Sequence, residues 1–196
     1  IPGVNTTGNS VVNNNVRVPE GNDAIFKTDI KNPSSKDETV TVKLNNGTAD
    51  INNDLVLNNV KFYGKDGSEL VTVNKGNGEF DVKLPAGQTE FYTKVPTFND
   101  LIVEGDEDFT ITATLDGKTA TGTGIIVDND ETTVTITPFD PTTPGVPTIP
   151  GVNIIGNSIV NNNVKVPEGN DAIFTTDIKN PSSKEETVTV KLITGT

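Results

Sequence analysis

Three short stretches of the chain place carboxylates next to glycine or asparagine, and two of them hold more than one carboxylate. They read VEGDEDF at residues 103–109, VDND at residues 127–130 and RVPEG at residues 17–21. Like charges at such spacing repel one another, and the repulsion opposes folding unless a cation offsets it. Calcium takes about six to eight oxygen ligands, which carboxylates in short loops supply. On this reasoning the candidate ligands are Glu20, Asp50, Asp54, Asp100, Glu104, Asp106, Glu107, Asp128 and Asp130.

Composition excludes several other classes of site. The 196 residues include 15 Lys and Arg against 27 Asp and Glu, so the formal net charge is -12 and a nucleic-acid partner is not expected. The sequence contains no Cys, His, Met or Trp. Zinc sites of the usual Cys/His kind, thiol nucleophiles and Ser-His-Asp triads are thereby excluded. No apolar run approaches the length needed to span a bilayer, so membrane insertion is not expected.

An enzymatic interpretation would rest on a carboxylate pair of the glycosidase type. Aromatic residues make up only 5% of the chain, and no aromatic subsite for a sugar accompanies any of the acidic stretches. We therefore predict that the protein has no catalytic residues and is not an enzyme.

The hydrophobic pattern has the period of β-strands. Residues 38–44, ETVTVKL, alternate apolar and polar side chains, as a sheet with one solvated face requires. Turn-forming residues separate the runs, as in NKGNG at residues 74–78 and LDGK at residues 115–118. The pattern predicts an all-β, antiparallel, immunoglobulin-like β-sandwich. Its predicted strands are 24–30, 38–44, 55–63, 69–73, 79–84, 90–95, 109–115 and 118–127.

The beginning of the chain recurs near its end. Residues 1–48 and 149–196 are identical at 40 of 48 positions, at an offset of 148. The repeat predicts a complete sandwich at residues 1–136 with its core at about 11–130, a Pro/Gly-rich linker at 137–151, and a truncated N-terminal part of the next repeat at 152–196. We expect the chain to be part of a longer tandem array whose partners are neighbouring repeats. The incomplete copy is expected to be disordered or to exchange strands with a neighbouring chain.

The acidic stretches also carry a family resemblance. GTADINNDL at 47–55, LPAGQTEFYTKVP at 84–96, NDLIVEGDEDFTI at 99–111 and GTGIIVDND at 122–130 occur in the order and approximate spacing of the Calx-β motif. RVPEG resembles the opening strand of that family, and the resemblance covers roughly residues 11–130. It implies a calcium-binding, immunoglobulin-like sandwich. Similar domains recur as extender repeats in large bacterial surface adhesins of the RTX type.

Carried over position by position, the resemblance implies that the calcium ligands are Glu20, Asp54, Asp100, Glu104, Asp128 and Asp130. Asp106 and Glu107 also fall in the motif, although one of them could face solvent or hold the loop. Asn99 and Asn129 stand where carboxylates are common, which implies fewer or more weakly held ions. The segment between Leu55 and Leu84 is longer than the family pattern, which predicts an added hairpin around residues 65–77. Solvated surface loops are the alternative explanation of these acidic stretches.

The resemblance and the repeat together predict a calcium-stabilised, non-enzymatic structural extender of a bacterial cell-surface adhesin, with Ca²⁺ as its cofactor. Such a protein acts in adhesion and biofilm formation, outside the cell and on the bacterial surface. The alternative is a repeat that itself binds a carbohydrate or a host protein, directly or through calcium. An exposed apolar or aromatic patch would favour that alternative.

Overall fold

The computed structural model describes residues 1, 3–139, 150, 151, 153, 157–160 and 162–193, with the backbone alone described at residue 160. The chain divides into two compact units, Ile1–Asn129 and Asp130–Thr196. Most of the predicted linker, residues 140–149, lies outside the described residues. Within the described part of the chain, no helix combines the length and the apolar character needed to cross a membrane.

The first unit is a β-sandwich of two sheets. The larger sheet has the strand order β1-β2-β10-β9-β4-β7-β6 and the smaller has the order β3-β8-β5. The strands are β1 (Ser10–Val12), β2 (Asn15–Pro19), β3 (Asp23–Asp29), β4 (Glu38–Asn46), β5 (Lys61–Gly64), β6 (Thr72–Gly76), β7 (Glu79–Leu84), β8 (Glu90–Pro96), β9 (Glu107–Leu115) and β10 (Lys118–Val127). The predicted all-β, immunoglobulin-like sandwich is confirmed.

One pair of strands departs from the predicted antiparallel arrangement. β2 runs parallel to β10, with Pro19 opposite Val127 at the shared end. Parallel neighbours finish at the same edge of a sheet, so the residues that follow them emerge together. This pair therefore brings the acidic loop after β2 next to the acidic loop after β10.

The core lies between the two sheets and follows the alternation seen in the sequence. In β4, Val40, Val42 and Leu44 are each 1% exposed, whereas the residues between them face outward. The ring of Phe109 from β9 packs edge-on against Phe26 from β3, with 6.0 Å between the ring centroids. These contacts join the larger sheet to the smaller one.

Three predicted elements differ from the structure. In place of the strand predicted at 69–73, Glu69 forms an isolated bridge with Tyr63 and β6 begins at Thr72. The predicted strand at 55–63 is instead a 3₁₀ turn, Leu57–Asn59, followed by the short β5. Its apolar residues do not alternate, and the turn is closed by the Val60 amide, which donates to the Leu57 carbonyl. The added hairpin predicted at 65–77 is also different, because β6 pairs with the next strand, β7, across the turn at Asn77 and Gly78. Both turn residues have positive φ, as a two-residue hairpin turn of type I′ requires.

Thr93, at the centre of β8, places a hydroxyl inside the core. Its side chain is fully buried, and its Oγ1 has no hydrogen-bond partner among the described residues. Burying an unsatisfied hydroxyl costs about 1–3 kcal/mol, and valine has nearly the same shape without that cost. We expect Thr93→Val to raise the free energy of unfolding by about 1 kcal/mol in urea denaturation. Thr110→Val, at a half-buried position of β9, serves as a control that should change stability less; a loss of stability in Thr93→Val would contradict the prediction.

The second unit contains the incomplete copy of the repeat. β11 (Thr133–Pro138) pairs with β14 (Phe174–Lys179), and β12 (Ser158–Val160) pairs with β13 (Asn163–Lys165). β12 and β13 reproduce the β1–β2 hairpin at the repeat offset. Residues 186–193, the counterpart of β4, form no strand, and their Val188, Val190 and Leu192 are 49%, 64% and 91% exposed. The same residue types are buried in β4 because β7 and β9 flank that strand.

Candidate metal centre

The acidic loops of the first unit are tied together by backbone hydrogen bonds at one end of the sandwich. The Glu20 amide, just after β2, donates to the carbonyl of Val127 at the end of β10, at 3.1 Å. The next amide, of Gly21, donates to the carbonyl of Phe98 in the loop after β8, also at 3.1 Å. Three loops that are distant in sequence therefore meet at this end. Gly21 has a φ of +76°, a left-handed conformation that glycine adopts without steric cost.

The turn that contains Asp54 joins the same end. The Phe98 amide donates to the Asp54 carbonyl at 2.8 Å, which ties this turn to the loop after β8. The Asp50 amide donates to the Asp54 carboxylate at 2.6 Å and holds that side chain in place. The Asp54 side chain is thus positioned by its own turn.

The remaining carboxylates come from the loop before β9 and from the end of β10. The Glu104 amide donates to Oδ2 of Asp128 at 2.6 Å. Glu107 is the first residue of β9 and is partly buried. Burial raises the pKa of its carboxyl to about 7, with further contributions from the negative charges of Asp54, Glu104 and Asp100 and from a side-chain hydrogen bond with Asp54. These four carboxylates therefore share one partly desolvated site.

Three predicted ligands lie close enough together to coordinate one ion. One carboxylate oxygen each from Glu20, Asp100 and Asp130 lies within 4.8 Å of the others, and all three residues are partly buried. Calcium–oxygen distances are about 2.3–2.6 Å, so two ligands of one ion are at most about 5 Å apart. Asp100 also belongs to the set of carboxylates around Glu107, because its negative charge helps to raise the pKa of Glu107.

Two of the candidate carboxylates contact side chains outside the converging group. Asp106 forms an ion pair with Arg17 of β2, and both side chains are partly exposed. The Asp50 carboxylate accepts hydrogen bonds from the Asn52 amide and from the side chains of Asn52 and Asn53. The Asp106 and Asp50 side chains are therefore directed to Arg17 and to the two asparagines.

Sequence reasoning overlooked Asp108, which shapes the site without belonging to it. Its Oδ1 accepts hydrogen bonds from the amide and the hydroxyl of Thr48, at 3.0 and 2.9 Å, and these bonds lower the pKa of the carboxyl. The contact joins β9 to the loop that leads to Asp54. The two residues are 60 positions apart, so no local pattern could have revealed the pairing.

The donor set fits calcium. Every converging side chain supplies carboxylate oxygen, and the sequence has no His or Cys that would favour zinc or a softer metal. Asn99 and Asn129, which replace carboxylates of the family pattern, donate to the backbone carbonyls of Asp100 and Glu20 at 3.1 Å. These side-chain amides hold the loops that carry the candidate ligands. Residues Glu20, Asp54, Asp100, Glu104, Glu107, Asp128 and Asp130 could hold the metal.

Comparison with known proteins finds similar structures but no matching family. A scan of protein-family models and a search of curated proteins each return no match. Among solved structures, the chain is similar to the calcium binding domain CBD12 of CALX1.1, with 21% identity over 61% of this chain and 46% of that one and a TM-score of 0.42. For CBD12 from CALX1.2 the values are 18% identity, 58% and 42% coverage and a TM-score of 0.41.

A third similar structure comes from a bacterium. The C-terminal domain of the AgI/II polypeptide BspA from Streptococcus agalactiae has 16% identity over 61% of this chain and 46% of that chain, with a TM-score of 0.33. The present chain spans less than half the length of each of these three structures. All three identities are below one quarter and all three TM-scores are below one half.

Proposed function

We propose that this protein is a calcium-stabilised structural extender repeat of a bacterial cell-surface adhesin of the RTX type, without enzymatic activity. In this proposal calcium joins the loops at one end of each sandwich, and neighbouring repeats of the same chain are its partners. The array holds a distal binding domain away from the cell in adhesion and biofilm formation. Its place is outside the cell, on the bacterial surface.

The observation that carries the calcium step is the crowding around Glu107. Asp54 comes from the turn after β4, and Asp100 and Glu104 come from the loop before β9; their negative charges add to the effect of burial and raise the pKa of this carboxyl. A fold that accumulates negative charge at one point without a counter-charge is destabilised there, and a divalent cation offsets the repulsion. The extender step is supported by the repeat, because copying a domain increases length and reach.

Isothermal titration of the metal-free chain with CaCl₂ tests the calcium step. We expect saturable binding that Asp54→Asn weakens by about tenfold or more, because the substitution removes a charged ligand and keeps the shape of the side chain. Glu69→Gln is the control, since Glu69 is exposed and forms an ion pair with Lys61 at 2.6 Å. Magnesium should bind more weakly because it requires a smaller, near-octahedral shell. Absence of calcium binding in the unmodified chain would refute this step.

A second candidate function has one observation in its favour. Phe98, Leu101 and Ile102 are exposed by 52%, 63% and 40%, in the loop that carries Asp100. Exposed apolar side chains beside a metal site are suited to contact a ligand. The alternative is therefore a repeat that binds a carbohydrate or host protein next to its calcium.

A glycan array and an immobilised host-matrix panel, probed with the whole chain in calcium, separate the two candidates. An extender should show no binding above that of the Phe98→Ser/Leu101→Ser variant. Calcium-dependent binding that this variant loses would establish the second candidate instead.

A further inference from the structure

The two copies of the repeat present the same strand in different surroundings. β14 corresponds, at the repeat offset of 148, to residues 26–31, and the two stretches differ only at Lys27 and Thr175. In the first unit residues 26–29 of this stretch belong to β3, which is an edge strand of the smaller sheet. In the second unit it is paired along its length with β11. The second copy therefore shows a partner that the first copy lacks among the described residues.

The backbone directions in β3 show which of its edges is open. Thr97 donates to the carbonyl of Asn22, and Ile30 donates to the carbonyl of Thr89 at the other end of β8. Even-numbered residues of β3 therefore direct their amides and carbonyls toward β8. Because these groups alternate along a strand, the odd-numbered residues direct theirs to the opposite edge. Ile25, Lys27 and Asp29 thus present hydrogen-bonding groups on the open edge.

β11 lies on that same edge in the second copy. Phe139 donates to the carbonyl of Ile173 at 3.0 Å, and Ile173 corresponds to Ile25. Ile25 is one of the odd-numbered residues, whose backbone groups point away from β8. β11 therefore occupies the edge opposite the one that β8 uses in the first unit. The segment before the strand is also reproduced, since Asp171 donates to Asn153 as Asp23 donates to Asn5, both at 2.8 Å.

An apolar groove runs beside the open edge of β3. Its volume is about 410 Å³. Its apolar lining is Ile30, Val40, Phe91, Ala113, Leu115 and Ala120, and the polar residues Thr28, Asp29, Lys31, Asn32, Lys118 and Thr119 complete the lining. In the register of the second unit, Val134 would lie opposite Ile30 and Ile136 opposite Thr28. Directly opposed residues of an antiparallel pair share a face of the sheet, so both side chains would enter the groove.

The sequence of β11 suits this position. Val134 and Ile136 are 50% and 51% exposed in the second unit, so they have apolar surface left to bury. Pro138 falls opposite Phe174, whose counterpart is the even-numbered Phe26. At such a position the backbone nitrogen points away from the partner strand, so proline costs no hydrogen bond.

We propose that the open edge of β3 is a docking site for a strand with the sequence of β11, supplied by a neighbouring copy of the repeat. The strand adds antiparallel to β3, extends the smaller sheet from three strands to four, and places Val134 and Ile136 in the groove. Successive copies are thereby joined by main-chain hydrogen bonds, and this joint does not depend on calcium or on the function proposed above.

A peptide of residues 131–139, ETTVTITPF, tests the proposal against the whole chain. We expect saturable binding, together with slower hydrogen exchange by about tenfold at the amides of Ile25, Lys27 and Asp29. The amides of Ala24 and Phe26 should change little, because they already face β8. A peptide that only replaces β11 on β14 would bind without slowing exchange at Ile25, Lys27 and Asp29, and that result would overturn the proposal.

Two pairs of peptides make the test specific to strand addition. N-methylation at Thr135 removes an amide that faces the partner strand and should abolish binding, whereas N-methylation at Ile136 removes one that faces away and should not. Val134→Asp should abolish binding because it puts a charge into the groove, and Thr135→Ser should not. Strand addition would be refuted if all four altered peptides bound as well as the unmodified one. It would also be refuted if excess peptide left the exchange of the Ile25, Lys27 and Asp29 amides unchanged.

Discussion

Calcium in the millimolar range should raise the thermal midpoint of the first unit by about 10 °C over its value in chelator. A ligand that binds the folded state at about one hundred times its Kd adds about 2.7 kcal/mol, and for a domain of this size each kcal/mol shifts the midpoint by a few degrees. The gain arises because the ion offsets the repulsion among Asp54, Asp100, Glu104 and Glu107. Differential scanning calorimetry at pH 8, with magnesium as a comparison, measures the shift.

The variant Glu107→Gln should change stability in opposite directions with and without calcium. In chelator it removes one of several crowded charges, so the midpoint should rise by a few degrees. In calcium it removes a ligand, so the midpoint should fall below that of the unmodified chain. If these carboxylates were solvated loop residues that bind no calcium, the effect of Glu107→Gln on the midpoint would not change sign between the two conditions.

Asp106→Asn is the matched control, because this carboxylate lies in the same loop and is paired with Arg17. It should lower the midpoint slightly in both conditions, since a partly exposed ion pair contributes little. Equal calcium shifts in the unmodified chain, Glu107→Gln and Asp106→Asn would show that Glu107 takes no part in the site.

Phe109→Ala should cost about 3–5 kcal/mol, the largest effect that we expect from a single substitution in this core. The ring is fully buried and packs against Phe26, so its removal leaves a cavity between the two sheets. Urea denaturation followed by circular dichroism would measure the change. A cost below about 1 kcal/mol would mean that the sheets do not pack as described.

The partner of this ring across the larger sheet is Gly124, which lies opposite Phe109 in the β9–β10 register. A Cβ at residue 124 would overlap two ring atoms of Phe109, so Gly124→Ala should be destabilising by about 1–3 kcal/mol or more. Phe109→Leu makes room for that methyl group. The double variant should therefore cost less than the sum of the single ones, and simple additivity would contradict the contact.

Local patterns predicted most of the strands but not the irregular ones. Val40, Val42 and Leu44 alternate with polar residues, and the strand they predict forms with all three buried. The apolar residues at 55–60 have no such alternation, and there the backbone bonds within a turn and to distant loops decide the structure. β11 was not predicted as a strand, because its alternation ends in a Pro-rich segment and its partner is more than thirty residues away.

The sequence likewise predicted only part of the candidate site. A motif places carboxylates in particular loops, but it does not say which of them meet. Asp106 and Glu107 are adjacent in sequence and equally acidic, yet one pairs with Arg17 while the other is partly buried among carboxylates. Neighbouring residues at a strand start point in opposite directions, and what each one meets depends on the strands packed around it.

The sequence by itself determined the period of the strands, the oxygen-only chemistry of the candidate ligands and the repeat at an offset of 148. These are properties of residue types and of their spacing. Only the tertiary structure decided which loops share one end of the sandwich, which carboxylates are already engaged, and that β3 has an open edge. Such features depend on pairing between segments far apart in the chain, and that pairing is set by the packing of the whole sandwich.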